Sequence, residues 1–387
     1  MIFDMKVIVA HISLNSAGGG ELVCLSLIKV LRRAGNRVTL ATVDKTDWGF
    51  LTKIFGEVSF PDREFYLFSS LPKTYSRTLH GVILVTFYLA ELFLLKLLKR
   101  GDLLISTCGE KINSIADIVY VNGILLRIAF FLPHVSVKRK CYSRLYNLFS
   151  KVIDRVNNSI IIANSKFNRD IIRKCAKKDA LVVYPPVNIQ KFADAGRNRD
   201  RKNIVVAVSR FLSEENLDYV PRLAKLVRDS NFLIIGPSGT TSKNTLEKLS
   251  KMITELAVKD RAKIVTNQPF SKLLEALSEA KVFLRIHPYE PFGISIVEAM
   301  AAGCVPVVPK AGGPWFDILD REQGKYGYAY SSLGEAAEKI NLLMNDEQLR
   351  TEISRRACER AKSFDRSFFK KKIVDIIHRV AVSKLKQ

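Results

Sequence analysis

The chain has 387 residues, 48% hydrophobic and 26% charged, with 61 Lys/Arg against 38 Asp/Glu and a net charge of +23. That length exceeds one comfortable core and predicts two domains, and that apolar content excludes a disordered chain. Six scattered cysteines with no Cys-x-x-Cys pair argue against a disulfide framework and a zinc site, and favour a reducing cytosol.

The first element, Val7 to Ser13, reads as a strand rather than a secretory leader. Ser16-Ala-Gly18-Gly19-Gly20-Glu21 follows it, ahead of an amphipathic helix over Glu21 to Ala34. Three glycines let backbone approach a ligand closely, and a helix start offers unpaired N–H donors. The spacing is not that of the G-x-G-x-x-G dinucleotide fingerprint. A strand over Arg37 to Val43 comes next. The long apolar run from Gly81 to Leu95 is interrupted by Glu91 and followed by Lys96, so it predicts a buried or membrane-surface helix rather than a span. Further strands are expected at Leu103–Ser106, Ile118–Val121, Ser159–Ala163 and Leu181–Tyr184. Alternating strands and helices predict a parallel sheet covered by helices.

Residues 124–178 hold thirteen Lys/Arg and only two acids, interleaved with Phe130, Phe131, Tyr142, Tyr146 and Phe149. Such a surface suits an anionic membrane, a nucleic-acid backbone, or plain solvent over an apolar core face. Tyr184-Pro-Pro-Val-Asn188 excludes helix, disfavours a central strand and reads as an interdomain linker. The second half restarts at Asn203–Ser209 and alternates through Phe232–Gly236, Ala262–Thr266, Val282–Ile286 and Val305–Val308. The tail from Phe364 reads as helical.

Glu290-Pro-Phe-Gly-Ile-Ser-Ile-Val-Glu298-Ala-Met-Ala-Ala-Gly is the most informative stretch. A turn follows the first acid and a helix carries the second. A helix N-terminus attracts phosphate, and flanking carboxylates accept hydrogen bonds from sugar hydroxyls. That layout suits a nucleotide-sugar. The segment, with Ala311-Gly-Gly-Pro-Trp315-Phe-Asp317 downstream, resembles the signature of the retaining, two-domain (GT-B) glycosyltransferases of family 4. It is similar in particular to the branch of the Alg11-type mannosyltransferases and their archaeal relatives.

The resemblance implies an α/β fold of two doubly wound Rossmann-like domains facing across a cleft, with a C-terminal helix crossing back to the first. The expected boundaries are 1–186, 187–363 and 364–387. It implies transfer of a mannose- or glucose-type hexose from a nucleoside-diphosphate sugar to a lipid-linked or membrane-associated glycan. Glu290 would hold hydroxyls of the transferred sugar and Glu298 the ribose. Backbone N–H groups of Phe292, Gly293 and Ile294 would meet the diphosphate or sugar, and Arg210 would neutralise charge on the leaving diphosphate. Gly18, Gly19 and Gly20 would lie over the reacting centre, and Asn267 near the nucleotide base. No cofactor or metal is expected, and no Asp-x-Asp is present. The expected setting is the cytoplasm, and the basic, aromatic stretch 124–178 with Lys370-Lys-Lys372 favours docking on the cytosolic face of an anionic membrane.

Two positions depart from the family pattern. Glu215 occupies the place of a Lys that usually contacts the diphosphate, where a carboxylate would repel it. Asn122 occupies the place of a His; it donates a hydrogen bond but cannot carry a proton. They motivate a second reading, a GT-B-fold binding subunit with impaired turnover. A nucleic-acid binder rests on charge alone. His11 and His287 stand without a metal-ligand partner at helical or turn spacing and read as structural.

Overall fold

The computed structural model describes residues 4–69, 77–97, 101–108, 115–123, 159–197, 199–239 and 242–385. Most of the basic stretch, residues 124–158, lies outside the described residues, as do Cys141, Phe130, Phe131, Tyr142, Tyr146 and Phe149. The chain divides into two compact units. The first comprises Met1–Thr52, Glu57–Tyr184 and Phe369–Gln387, and the second Lys53–Gly56 and Pro185–Phe368.

In the first unit, β1 (Lys6–Ala10), α1 (Gly19–Arg33), β2 (Arg37–Asp44), α2 (Trp48–Phe55), β3 (Arg63–Phe68) and α3 (Arg77–Leu97) lead into β4 (Leu103–Ser106) and β5 (Ile118–Val121). Then follow β6 (Ile160–Ala163), α4 (Lys166–Ala176) and β7 (Leu181–Val182). The seven strands are all parallel, in the order β3-β2-β1-β4-β5-β6-β7. Val7 is paired with Val38 on one side and Leu103 on the other, which locks the register of the central strand. Strands of this kind are covered on both faces, which is why β1, β4 and β5 read as apolar runs without alternation.

Helix α3 is the apolar run of the sequence. Tyr88, Glu91, Leu92 and Leu95 are buried, whereas Phe87, Phe93, Leu94 and Leu97 are exposed. No helix among the described residues is long and apolar enough to cross a membrane. Glu91 therefore interrupts the run on its core side, where it is 2% exposed.

The second unit holds α5 (Ile189–Gly196), β8 (Lys202–Val208), α6 (Tyr219–Leu226), β9 (Asn231–Gly236), α7 (Lys243–Glu255) and β10 (Ala262–Thr266). It continues with α8 (Phe270–Glu279), β11 (Ala280–Leu284), α9 (Ile294–Ala301), β12 (Val305–Pro309), β13 (Tyr328–Tyr330), α10 (Leu333–Asn345) and α11 (Glu347–Lys362). Its six strands are parallel in the order β10-β9-β8-β11-β12-β13. Both sheets are thus doubly wound, and the order reverses between β1 and β4 in one and between β8 and β11 in the other. Ligands in such sheets bind beyond the carboxyl ends of the strands at the reversal. The last helix, α12 (Arg366–Leu385), starts in the second unit and packs on the first from Phe369, whose ring meets Tyr120 edge-on at 6.2 Å.

One boundary differs from the sequence reading in a way that matters. The strand expected to reach Ile286 ends at Leu284. Arg285 follows it, still buried. Its N–H continues the ladder to the Val307 carbonyl at 3.0 Å.

Candidate functional site

At the reversal point of the second sheet, β8 ends at Val208 and leads into Ser209-Arg210, and β11 ends beside Arg285. The Glu290 turn follows, and α9 begins at Ile294. Gly293 caps α9 with φ of 102°, a left-handed conformation that glycine adopts freely, and a Cβ there would stand 2.6 Å from Ile296 Cδ1. Phe292 is fully buried against Phe364, edge-on at 5.4 Å, which anchors the turn to the core. Ile296, Val297, Ala299, Met300 and Ala301 bury the inner face of α9. The helix therefore starts at a fixed point, with its first-turn N–H groups and positive dipole end beside Glu290.

The Ala311-Gly-Gly-Pro motif is the second half of this turn. The Gly313 N–H donates to the Glu290 carbonyl at 2.9 Å. A Cβ on Gly313 would lie 2.1 Å from the Pro291 carbonyl oxygen, and one on Gly312 would lie 2.5 Å from the Glu290 oxygen. The two motifs, distant in sequence, clasp one another through backbone that only glycine allows.

Around Glu290 runs a chain of charges. Arg285 donates through Nη2 to Glu290 Oε2 at 2.6 Å and to Glu215 Oε2 at 3.0 Å, and through Nη1 to the Val208 carbonyl at 3.3 Å. The other oxygen of Glu215 faces Arg210 Nη2 at 3.7 Å. Burial pulls the Glu215 carboxyl upward, but attraction to Arg285, His287 and Arg210 outweighs it and leaves the group below the usual range. Arg285 is desolvated as well, yet Glu290 and Glu215 hold it above its ordinary value. The repulsion expected of Glu215 is met inside the protein by Arg285. Sequence reasoning missed Arg285. Its signal was a cation in the apolar run Lys281-Val-Phe-Leu-Arg-Ile, which carried an unnoticed need for a counter-ion.

Glu298 lies one turn further along α9, partly buried, and desolvation raises its carboxyl to about 7. Asn267, at the end of β10, adopts φ of 53°. Its Oδ1 accepts the Ser238 N–H at 2.9 Å and its Nδ2 donates to Ser238 Oγ at 2.8 Å. Both ends of this side chain clamp the loop after β9. Among the described residues, no group of three His, Cys, Asp or Glu is placed to hold a metal.

In the first unit, Gly18, Gly19 and Gly20 lie where β1 hands over to α1. The Glu21 carboxylate turns back to accept from the Gly18 N–H at 2.9 Å and from the Ser16 hydroxyl. A Cβ on Gly20 would stand 3.4 Å from Asn122 Nδ2, so the glycine loop and Asn122 are neighbours. Asn122 Nδ2 donates to the Thr107 carbonyl at 3.1 Å, and the Asn122 carbonyl accepts from Asn164 Nδ2 at 2.6 Å. His11 is no isolated core histidine: Nδ1 shares a hydrogen bond with Thr107 Oγ1 at 2.9 Å, and Nε2 lies 3.8 Å from Glu21. The structure thus gathers Arg210, Glu290, Phe292, Gly293, Ile294 and Glu298 in one unit, and Gly18, Gly19, Gly20 and Asn122 in the other.

Residues 188–360 match the model of the family described as glycosyl transferases group 1. The chain is 28% identical over 265 residues to the GDP-Man:Man(3)GlcNAc(2)-PP-Dol alpha-1,2-mannosyltransferase of Dictyostelium discoideum, covering 62% of this chain and 52% of the relative. It is 29% identical over 150 residues to the GDP-mannose:cellobiosyl-diphosphopolyprenol alpha-mannosyltransferase of Komagataeibacter xylinus, 38% of each chain. The chain spans about half the length or less of these curated relatives. Among solved structures, sucrose-phosphate synthase from Thermosynechococcus elongatus superposes with a TM-score of 0.77 at 16% identity, over 98% of this chain and 99% of that one. Anabaena HepE in complex with UDP-glucose does so with a TM-score of 0.74 at 17% identity, over 97% and 100%. Two parallel doubly wound units and these superpositions together give the chain the GT-B fold, with residues 188–360 similar to the glycosyl transferases group 1 family.

Proposed function

We propose that the chain is a retaining glycosyltransferase that moves a hexose from a nucleoside-diphosphate sugar to a lipid-linked glycan. The observation that carries this reading is the arrangement around α9. Glu290 and Glu298 bracket the helix start at the reversal point of the second sheet, and Arg210 stands nearby as a half-exposed cation. Glu298 accepts from the ribose hydroxyls. Glu290 accepts from hydroxyls of the transferred sugar, and the N–H groups of Phe292, Gly293 and Ile294 meet the diphosphate. Arg210 offsets the charge that grows on the leaving diphosphate, an effect largest where water is excluded. Asn122 and the Gly18–Gly20 loop are assigned to the sugar and the acceptor. In a front-face displacement the leaving phosphate takes the acceptor's proton, so Asn122 needs no basicity. Transfer needs no metal and proceeds in chelator. Pairing of Glu215 with Arg285 removes one motive for reading the chain as impaired.

The relatives' names favour GDP-mannose as donor and a polyprenyl-diphosphate glycan as acceptor. A thermal-shift panel of GDP, UDP and ADP with their sugars tests the donor. A nucleotide that binds only the folded state raises the melting temperature by mass action, and about 100 times the Kd adds about 2.7 kcal/mol. No shift from any nucleotide sinks the reading. The setting is a cytosolic membrane face. Lys166, Arg169, Arg173, Lys174, Lys177 and Lys178 on and after α4 supply part of the basic surface. Flotation with liposomes rich in anionic lipid tests it, and equal recovery with neutral liposomes removes it.

A further inference from the structure

Arg210, Glu215, Arg285 and Glu290 form a row of alternating charge whose inner members are buried and whose outer members reach solvent. Glu215 is 6% exposed and Arg285 8% exposed, whereas the Arg210 and Glu290 side chains keep 47% and 22% of their surface. Arg285 is the stiff member. Its N–H is tied to Val307 and its carbonyl accepts the Tyr330 hydroxyl at 2.9 Å. Its guanidinium spans the Val208 carbonyl and two carboxylates, while its buried Nε has no hydrogen-bond partner among the described residues. A guanidinium fork can bridge three acceptors in this way, and an ammonium cannot hold the same geometry. Among the described residues, the nearby Arg210 side chain is paired only with the far oxygen of Glu215, at 3.7 Å.

We propose that Arg285 is a positioning residue that presets the Glu290 carboxylate for the sugar of the donor, and that Glu215 is its counter-ion rather than a contact to the diphosphate. This rests on the donor-binding reading above. Arg285 occupies Glu290 Oε2 and leaves the remaining acceptor sites of the carboxylate at a fixed orientation. A carboxylate already fixed loses less freedom when hydroxyls bind to it. A Lys at 215 would instead bury two cations side by side. Glu215 and Arg285 therefore make sense only together, and the diphosphate is left to Arg210 and the start of α9.

The test compares the parent with Arg285→Met, Arg285→Lys, Glu215→Gln and the double variant Arg285→Met/Glu215→Gln. Urea midpoints are read first, then affinities for GDP-mannose and GDP, and for UDP-glucose and UDP, by calorimetry. Arg285→Met alone strands a buried carboxylate and lowers the urea midpoint most; the double variant recovers most of that loss. In the double variant the free nucleoside diphosphate binds within about threefold of the parent, because Glu298, Arg210 and α9 are intact. The ratio of sugar-nucleotide to diphosphate affinity falls by about tenfold or more, and Arg285→Lys retains part of it. A double variant that folds and keeps the parent ratio overturns the proposal. So does one whose loss falls equally on GDP and GDP-mannose. A parent that binds none of the four ligands overturns the donor reading and this proposal with it.

Discussion

The two sheets share a strand order around their reversal points but place different chemistry there. In the first unit, His11, Thr107, Asn122 and Asn164 are satisfied mainly by hydrogen bonds among neutral groups and carbonyls, with Glu21 folded back on the glycine loop. In the second, Arg210, Glu215, Arg285 and Glu290 are held by opposite charge with little water around the inner pair. Losing one neutral hydrogen bond costs about 1 kcal/mol, whereas stranding one member of a buried ion pair costs about 3–5 kcal/mol. One topology therefore yields one tolerant and one brittle polar centre.

Glu91 is the sharpest challenge to that contrast. It is a carboxyl in the core of the first unit, and neither oxygen has a hydrogen-bond partner among the described residues. Burial raises it to about 8, so at neutral pH it is largely protonated and adds no full charge to the helix face it packs with. A raised folded-state carboxyl contributes stability that is complete below its ordinary value near 4.5 and lost as pH climbs through about 8. Glu91→Met removes that loss. It is expected to gain on the parent between pH 4.5 and 9 by as much as about 4 kcal/mol, read from urea midpoints. A constant difference across that range would show Glu91 to be ionised throughout, and the contrast would fail.

Next in size is catalysis. Glu290→Gln keeps size and loses charge, so it is expected to lower transfer from the donor by about 100-fold or more. It also leaves Arg285 with one counter-ion instead of two. Asn122→Ala, in the neutral centre, removes one donor and is expected to cost about tenfold. Steady-state rates with a lipid-linked acceptor rank the two, and the reverse order would break the comparison.

The apolar runs of parallel strands, the amphipathic α1 and the Glu290–Glu298 spacing carry the fold and half of the site, because each is a local pattern with a fixed period. The partner of Glu215 is not local. Arg285 lies seventy residues away in sequence, and only the β8–β11 pairing brings the two together. The clasp between the Glu290 turn and Gly312-Gly313 was hidden for the same reason. Both motifs were visible, but their contact depends on backbone approach rather than side-chain type. The Glu21–His11–Thr107 cluster is not legible in the sequence because each residue alone has an ordinary structural explanation.

That clasp gives a prediction of intermediate size. Gly313→Ala places a Cβ 2.1 Å from the Pro291 oxygen, so the turn must shift. Overpacking of this kind costs about 1–3 kcal/mol. Ala at Gly239, whose Cβ position is open for 4 Å, is the control and should melt with the parent. Since Gly313 also holds the Glu290 carbonyl, its variant should lose donor affinity beyond its loss of stability. Thermal shift with and without nucleotide separates the two effects.

Asn267 gives the smallest and most discriminating effect. The family resemblance implies a place near the nucleotide base, yet both ends of its amide are engaged with Ser238 and its backbone is left-handed. Asparagine tolerates that conformation better than alanine, and glycine better than either. Asn267→Ala loses the clamp and takes on backbone strain, about 1–2 kcal/mol together, whereas Asn267→Gly loses the clamp and keeps a relaxed backbone. If Asn267 only shapes the loop, the two variants differ in melting temperature while nucleotide affinity changes by less than about threefold in both. If it also reads the base, both lose about tenfold in affinity regardless of the strain difference. The glycine variant decides between them, because it removes the amide at the least cost to the loop that carries it.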